Sequence, residues 1–310
     1  MTFFKPNDHL KSIVNQVLES TWEQFPELGL NQCALTLLVY DTPVVIEKEE
    51  ITFPMDFWQH PIKGFSYRGD ETIYPASVVK LFYLVAIYQW LEKGKVEPST
   101  ELDRAITDMI VDSSNDATSL VVDMLTDTTS GPELSSDKLL QWQDKRNEIN
   151  RYFQGFGWQE FKNINLNQKT WCDGYYGREK QFVGAKGENK NRLTTNAVAR
   201  LFHNIVAERI ISPERSQKMM RLLQRTLPAP VNDTLEENQI TGFLGESLDS
   251  NAKLWSKAGW TTQVRHDAAY IEIPQQAPFL LVVFTEGRKN SQNKQILPFI
   301  SQLIIKGLNS

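Results

Sequence analysis

Ser77 and Lys80 place a hydroxyl and an amine three residues apart, in Ser77-Val78-Val79-Lys80, ahead of an apolar run from Leu81 to Leu91. That run offers no face suited to water, so it is expected inside the core as a helix. A lysine at the head of a buried helix is costly unless something pairs or uses its charge. Positions i and i+3 share a helix face, so the Lys80 amine is expected to reach the Ser77 hydroxyl. Desolvation and nearby positive charge favour the neutral amine, which can take the proton of a serine. The chemistry this suggests is a serine nucleophile that needs no histidine. The structural alternative is that Ser77, just after Pro75, is a helix N-cap. Ser-x-x-Lys also occurs at Ser135, Ser250 and Ser291, in polar surroundings that read as solvated turns and caps. Only the copy at Ser77 opens an apolar helix.

Two later segments have the residue types to complete such a site. Ser113-Ser114-Asn115 separates two apolar-periodic stretches, Ala105 to Val111 and Ala117 to Leu125, and so reads as a short loop between helices. Lys257-Ala258-Gly259 lies between Leu254-Trp255 and Trp260-Thr261-Thr262, in a region of strand character. Glycine in a strand marks a place where another backbone or a ligand comes close. Either segment alone reads equally well as an ordinary polar turn or strand end.

In this order, the three segments resemble the signature of the serine β-lactamase and penicillin-binding protein superfamily: Ser-x-x-Lys, Ser-x-Asn, then Lys-Thr-Gly. The likeness spans roughly the whole chain and is closest to the class A branch, where Leu193-Thr194-Thr195-Asn196 is similar to the start of the helix after the omega loop. The resemblance implies that Ser77 is the nucleophile and Lys80 its proton acceptor. Ser113 would relay the proton to the leaving nitrogen, and Asn115 would hold the substrate's side-chain amide. Lys257 would face the substrate carboxylate and tune Ser113. The backbone amides of Ser77 and Trp260, the latter beside Gly259, would form the oxyanion hole. Arg265 would bind the substrate carboxylate through its planar fork; its alternative is a surface salt bridge with Asp267 or another acid. The implied substrate is a β-lactam or a peptidoglycan-like peptide, and no cofactor is called for. On the first reading the consequence is β-lactam breakdown and antibiotic resistance.

The chain departs from the pattern in four places. Ala258 stands where the family has threonine or serine, which removes one carboxylate anchor unless Thr261 or Arg265 substitutes. Ser114 replaces the usual aspartate. The span from Lys80 to Ser113 is short for class A. The Glu-x-x-Leu-Asn setting of the water-activating glutamate is not found before Thr194. Glu179 and Glu188 are the candidates for that base; the alternative for each is a solvated loop charge. A chain lacking the base would acylate and stall, as penicillin-binding proteins do with β-lactams. Three functions therefore compete: a β-lactamase, a D,D-peptidase or esterase using the same serine, and a sensor that acylates once.

The elements that must position these groups follow from periodicity. A helix is expected from about Leu10 to Phe25, with Ile13, Val14, Val17 and Leu18 on one face, and a buried strand from Cys33 to Tyr40. The stretch onward to Tyr74 reads as extended and turn-rich. Helices dominate to about Leu223. Strands return at Leu254 to Ser256, Ala268 to Ile273 and Phe279 to Thr285, followed by one helix from Gln292 to Ile305. Strands at both chain ends around a helical middle predict an α/β (α+β) fold. It would have an antiparallel sheet flanked by helices and an inserted all-α lobe, in one unit over 1–310. The α/β lobe would be 1–75 with 241–310 and the all-α lobe 76–240, with the three segments at the junction.

Composition narrows the partners. The chain has 310 residues, enough for a large core, and 41% hydrophobic with 23% charged residues is ordinary for a globular protein. A net charge of -5 without a basic stripe argues against nucleic acid. His9, His60, His203 and His266 are scattered, so no metal site is expected. Cys33 and Cys172 permit a disulfide without requiring one. No run is long enough to span a bilayer, and Met1 to His9 lacks the apolar core of a secretion signal, so localisation stays open.

Overall fold

The computed structural model describes residues 3–41, 62–171, 174–227 and 238–309. Along the chain run β1 (Lys5–Pro6), α1 (Asp8–Gln24), β2 (Cys33–Val39), β3 (Lys63–Tyr67), α2 (Lys80–Glu92), α3 (Thr100–Ile110), α4 (Asn115–Thr126), α5 (Ser136–Arg146) and α6 (Glu148–Gln154). There follow α7 (Gly177–Val183), α8 (Thr195–Val206), α9 (Pro213–Leu223), β4 (Gln224–Arg225), β5 (Lys253–Trp260), β6 (Val264–Glu272), β7 (Phe279–Glu286), α10 (Arg288–Gln292) and α11 (Ile296–Leu308).

The described strands form one seven-stranded sheet in the order β1-β3-β2-β7-β6-β5-β4. The fold is the expected mixed α/β class, and every pairing is antiparallel except the two-residue match of β1 with β3. Strands β6 and β7 are buried along almost their whole length on both faces. Such strands need helices on both sides. On one face lie α1 and α11, whose Ile13, Val17, Leu297 and Ile300 pack with Leu35, Leu281 and Val283. On the other, Val198, Leu201 and Phe202 of α8 join Leu38, Val282 and Phe284.

Helix α2 follows from its sequence: Leu81 through Ile87 are fully buried, so the helix is wrapped on all sides. The predicted first helix and the buried strand from Cys33 appear within a residue or two of their expected ends. Cys33 is a free, buried thiol inside the sheet, while Cys172 lies outside the described residues. The turn-rich stretch before Tyr74 contains β3, and its residues 42–61 lie outside the described residues. The C-terminal helix is α11, which begins and ends a few residues later than expected; the short α10 precedes it, and between them the Asn293 side chain accepts from Gln295 N at 3.0 Å. Pro298 then sits in the first turn of α11, where its missing N–H costs nothing. Among the described residues no helix is long and apolar enough to cross a membrane.

A buried amide network ties the 165–168 segment to α2. Asn191 Oδ1 accepts from the backbone N–H of Asn167 at 3.0 Å and of Gln168 at 2.9 Å, and its Nδ2 donates to Gln168 O at 2.8 Å. The Tyr83 hydroxyl, on α2, donates to the same Gln168 carbonyl at 2.6 Å. Each buried group left without its partner costs about 1–3 kcal/mol. Asn191→Ala is therefore expected to lower the unfolding free energy by about 3 kcal/mol in chemical denaturation; a loss below about 1 kcal/mol would contradict this role for the network.

Candidate active site

Ser77 lies in a 3₁₀ turn, Ala76–Val79, that leads directly into α2. Ala76 has a φ of 45°, a left-handed conformation that costs a residue with a Cβ roughly 1–2 kcal/mol. Two contacts impose it. A Cβ on Gly259 would come 2.8 Å from Pro75 O and 3.0 Å from the amides of Ser77 and Val78, so the β5 edge presses on this turn and only glycine fits. From β6, His266 Nε2 bonds Tyr74 O at 2.9 Å, while its Nδ1 accepts from Thr285 N at 3.1 Å. These partners fix a neutral ring with the proton on Nε2. Burial pulls its pKa down to about 4, against the backbone bonds that raise it.

Ser113 sits in the loop between α3 and α4 with a φ of 56°, and Ser114 caps α4 by accepting from Ala117 N at 3.2 Å. Two buried lysines converge here. Lys80 Nζ donates to Ser113 O at 2.6 Å, Ser113 Oγ at 3.2 Å and Asn115 Oδ1 at 2.9 Å. Lys257 Nζ donates to Ser113 Oγ at 2.9 Å, to Ala258 O at 3.1 Å and to Gln239 Oε1. With both amines on one oxygen, the Ser113 hydroxyl hydrogen must point elsewhere. Burial first, then the charges of Lys80 and Arg225, hold the Lys257 pKa well below the usual lysine value, with Asp267 opposing.

A cavity of about 610 Å³ adjoins these groups. Of the residues proposed from sequence, Ser77, Ser113, Asn115, Gly259, Trp260 and Arg265 line it. Lys80 and Lys257 lie behind that lining, fully buried.

The three bonds of Lys80 described above go to Ser113 and Asn115, which are acceptors that its spacing from Ser77 did not reveal. Three expectations are corrected. Arg265 makes no ion pair with Asp267 among the described residues. Its Nε donates to Ser291 O at 2.8 Å, whereas Asp267 Oδ2 accepts from Leu244 N at 3.0 Å. Ser291 itself is buried, its hydroxyl donating to Thr262 O at 2.8 Å, rather than forming a solvated turn. Glu179 is neither a solvated loop charge nor a cavity residue. It is buried, paired with the buried Arg146, and accepts from Ser130 Oγ at 2.7 Å. Glu188 is the exposed loop charge that was its alternative reading, accepting from Lys186 N at 3.1 Å. Asp112 is the carboxylate among the described lining residues.

Several lining residues were not legible. Gln239 accepts from Lys257 while donating to the carbonyls of Ile110 and Val111, both at 2.9 Å. Thr170 Oγ1 donates to Asn115 Oδ1 at 2.8 Å. Trp171, Phe243 and Lys294 complete much of the wall. They come from irregular segments whose periodicity carries no signal of position. Among the described residues no group of three His, Cys, Asp or Glu is arranged to hold a metal ion.

The His266 contacts give a pH signature. A depressed folded-state pKa means stability that is complete above the ordinary histidine value of 6.5 and is lost as pH falls toward 4. His266→Gln is expected to be less stable than the parent at pH 7.5, with the gap narrowing by about 2–3 kcal/mol at pH 4.5. Comparing the two proteins removes the opposing slope of Asp267, whose pKa burial raises to about 7. A gap constant across this range in denaturant titrations would rule out a neutral, buried ring.

Comparison with known proteins gives a coherent picture. The model described as the beta-lactamase enzyme family matches residues 58–308. Among solved structures the chain is similar to a β-lactamase from Sphaerobacter thermophilus, with a TM-score of 0.61 and 17% identity over 94% of this chain and 97% of that one. It is also similar to a mutant of PBP-A, solved as an acyl-enzyme complex with penicillin G, with a TM-score of 0.61 and 16% identity over 99% and 100%. A class A β-lactamase representative from Bacteroides cellulosilyticus gives a TM-score of 0.61 at 13% identity over 96% and 98%. At such identities the structural likeness is one of fold. No curated protein matches the sequence.

Proposed function

The chain belongs to the beta-lactamase enzyme family, and we propose that it opens a β-lactam amide at Ser77 and holds the product as an acyl-enzyme. The observation that carries this reading is the convergence of Lys80 and Lys257 on Ser113 Oγ at the wall of the cavity that Ser77 lines. The two amines lie within about 6 Å of each other, since both reach one oxygen. Like charges that close favour a neutral amine. In the proposed sequence the Ser77 hydroxyl loses its proton to Lys80, which gives up its longest bond, and Oγ attacks the carbonyl carbon. The C–N bond then breaks, and the nitrogen takes a proton from Ser113, which is resupplied from Lys80. The ring carbonyl becomes an ester of Ser77.

Release requires water activation. Glu179, the carboxylate offered by the sequence, is committed to Arg146 and Ser130. That commitment favours acylation faster than deacylation, and so a penicillin-binding activity with slow turnover over a fast β-lactamase. A D,D-peptidase acting on a peptide with a terminal carboxylate would use the same groups.

Mixing the protein with a chromogenic cephalosporin is expected to give a burst of about one equivalent, then slow turnover, with the acyl mass on the Ser77 peptide. Rapid steady turnover would overturn the slow-release reading. Absence of both burst and adduct, or full activity in Ser77→Ala, would remove Ser77 from the chemistry. Gly259→Ala pushes the nucleophile turn away from the β5 edge and is expected to slow acylation at least about 100-fold while the protein stays folded. An unchanged rate would show that the close approach is not needed.

A further inference from the structure

The corner of the cavity beyond Trp260 carries positive charge that the acylation chemistry does not use. Arg265, only 3% exposed, has its guanidinium carbon 4.8 Å from the Phe243 ring centre and 5.4 Å from that of Trp260. Its Nε is held by Ser291 O, and Nη1 lies 3.5 Å from Gly242 O. Nη2 has no protein partner among the described residues, yet it is not one of the buried polar atoms sealed from solvent. It therefore opens on the cavity that Arg265 lines. Lys294 lines the same corner, from the connection between α10 and α11. A Cβ on Gly242 would lie 3.0 Å from Lys294 Cβ and 3.1 Å from Arg265 Nη1, so the two cationic side chains flank one point of backbone. Glycine, at a φ of 77°, permits that approach.

The nearest acid does not neutralise the pair. Glu246 influences Arg265, but its Oε2 accepts from Gly242 N, it makes no ion pair with either cation among the described residues, and it does not line the cavity. Thr261 and Thr262 add hydroxyls to the same lining. The α4 side of the cavity has a different character, with Asn115, Thr170 and Trp171.

We propose that Arg265 and Lys294 form a dicarboxylate subsite, so that the preferred substrate carries two acidic groups on the portion that leaves with the nitrogen. This rests on the acyl-enzyme reading above. The rigid, desolvated fork of Arg265 suits a carboxylate bound through two oxygens. Lys294, exposed at the rim, supplies a point charge to the second. An exposed pair of this kind contributes on the order of 1 kcal/mol, which corresponds to about a fivefold preference. The preference should shrink with added salt.

The test uses two D-alanyl thiolesters that differ only in leaving group, mercaptoacetate with one carboxylate and mercaptosuccinate with two. In single-turnover acylation the mercaptosuccinate ester is expected to react about fivefold faster with the parent protein. The ratio should fall to about one in Lys294→Ala, drop below one in Lys294→Glu, and collapse in 0.5 M salt (about threefold above the ~0.15 M reference). A ratio of one in the parent, or a ratio unmoved by either substitution, overturns the subsite while leaving the acyl-enzyme intact. Binding of succinate against propionate to the Ser77→Ala protein, read by tryptophan fluorescence, separates the two claims. Selective succinate binding that Lys294→Ala abolishes, with no thiolester reaction in the parent, would sustain the subsite and sink the acyl-enzyme reading.

Discussion

Two lysine amines withdrawn from water onto a single serine hydroxyl set the terms for everything around them. An ammonium stripped of hydration is tolerated only where its N–H groups meet a full set of acceptors. Lys80 finds them in the carbonyl and hydroxyl of Ser113 and in Asn115. Presenting both oxygens of Ser113 goes with its left-handed backbone. Lys257 finds Ser113, its neighbouring carbonyl and Gln239. Gln239 in turn satisfies carbonyls at the end of α3, which Arg225 also approaches, its Nη2 donating to Ile110 O at 3.1 Å and to Ser256 O at 2.9 Å. Donors and positive charge at a helix C-terminus are favourable. The sheet edge, the end of α3 and the start of α4 are thereby fastened around one oxygen.

The turn that carries Ser77 is constrained separately, from strands β5 and β6. Ala76 and Ser113, the two left-handed non-glycine residues of the cavity, belong to different loops and are held by different partners. Strain at such positions persists only where surrounding contacts over-determine it. For Ala76 those contacts are His266, buried and stacked on Phe284 with ring centres 4.2 Å apart, and the Cβ-free face of Gly259. His266, which holds the backbone at Tyr74, three residues before Ser77, thus takes part in where Ser77 sits.

What the sequence revealed depended on whether a residue's role is set by its near neighbours. The apolar run after Lys80, the loop character of Ser113 to Asn115 and the glycine of the third segment are local properties, and they brought the right elements to the cavity. The α/β class followed from periodicity in the same way. The acceptors of Lys80 were not legible, because they arrive from a loop and helix start more than thirty positions on. Nor was the burial of Ser291, whose hydroxyl is placed by the turn at Thr262. Gln239, Thr170 and Lys294 sit in irregular segments, where position is fixed by tertiary contacts and leaves no period to read.

Glu179 shows the same limit in electrostatic form. An acid in a polar stretch reads as solvated, but Arg146 is fully buried and needs a counter-charge, and Glu179 supplies it. Lys169 extends the cluster, donating to Asp123 Oδ2 at 2.6 Å and to Ser130 Oγ at 2.8 Å. Removing one member of such a set leaves a buried charge uncompensated, which costs about 3–5 kcal/mol, so the members are kept as a group. The cluster anchors the chain immediately before Thr170, whose hydroxyl donates to the same Asn115 oxygen that Lys80 uses. That oxygen divides its lone pairs between a wall braced by buried ions and the Lys80 amine. A shift of the wall therefore changes how firmly Lys80 is held. Glu179, paired with Arg146 and away from the cavity, still bears on its wall, through the position of a threonine.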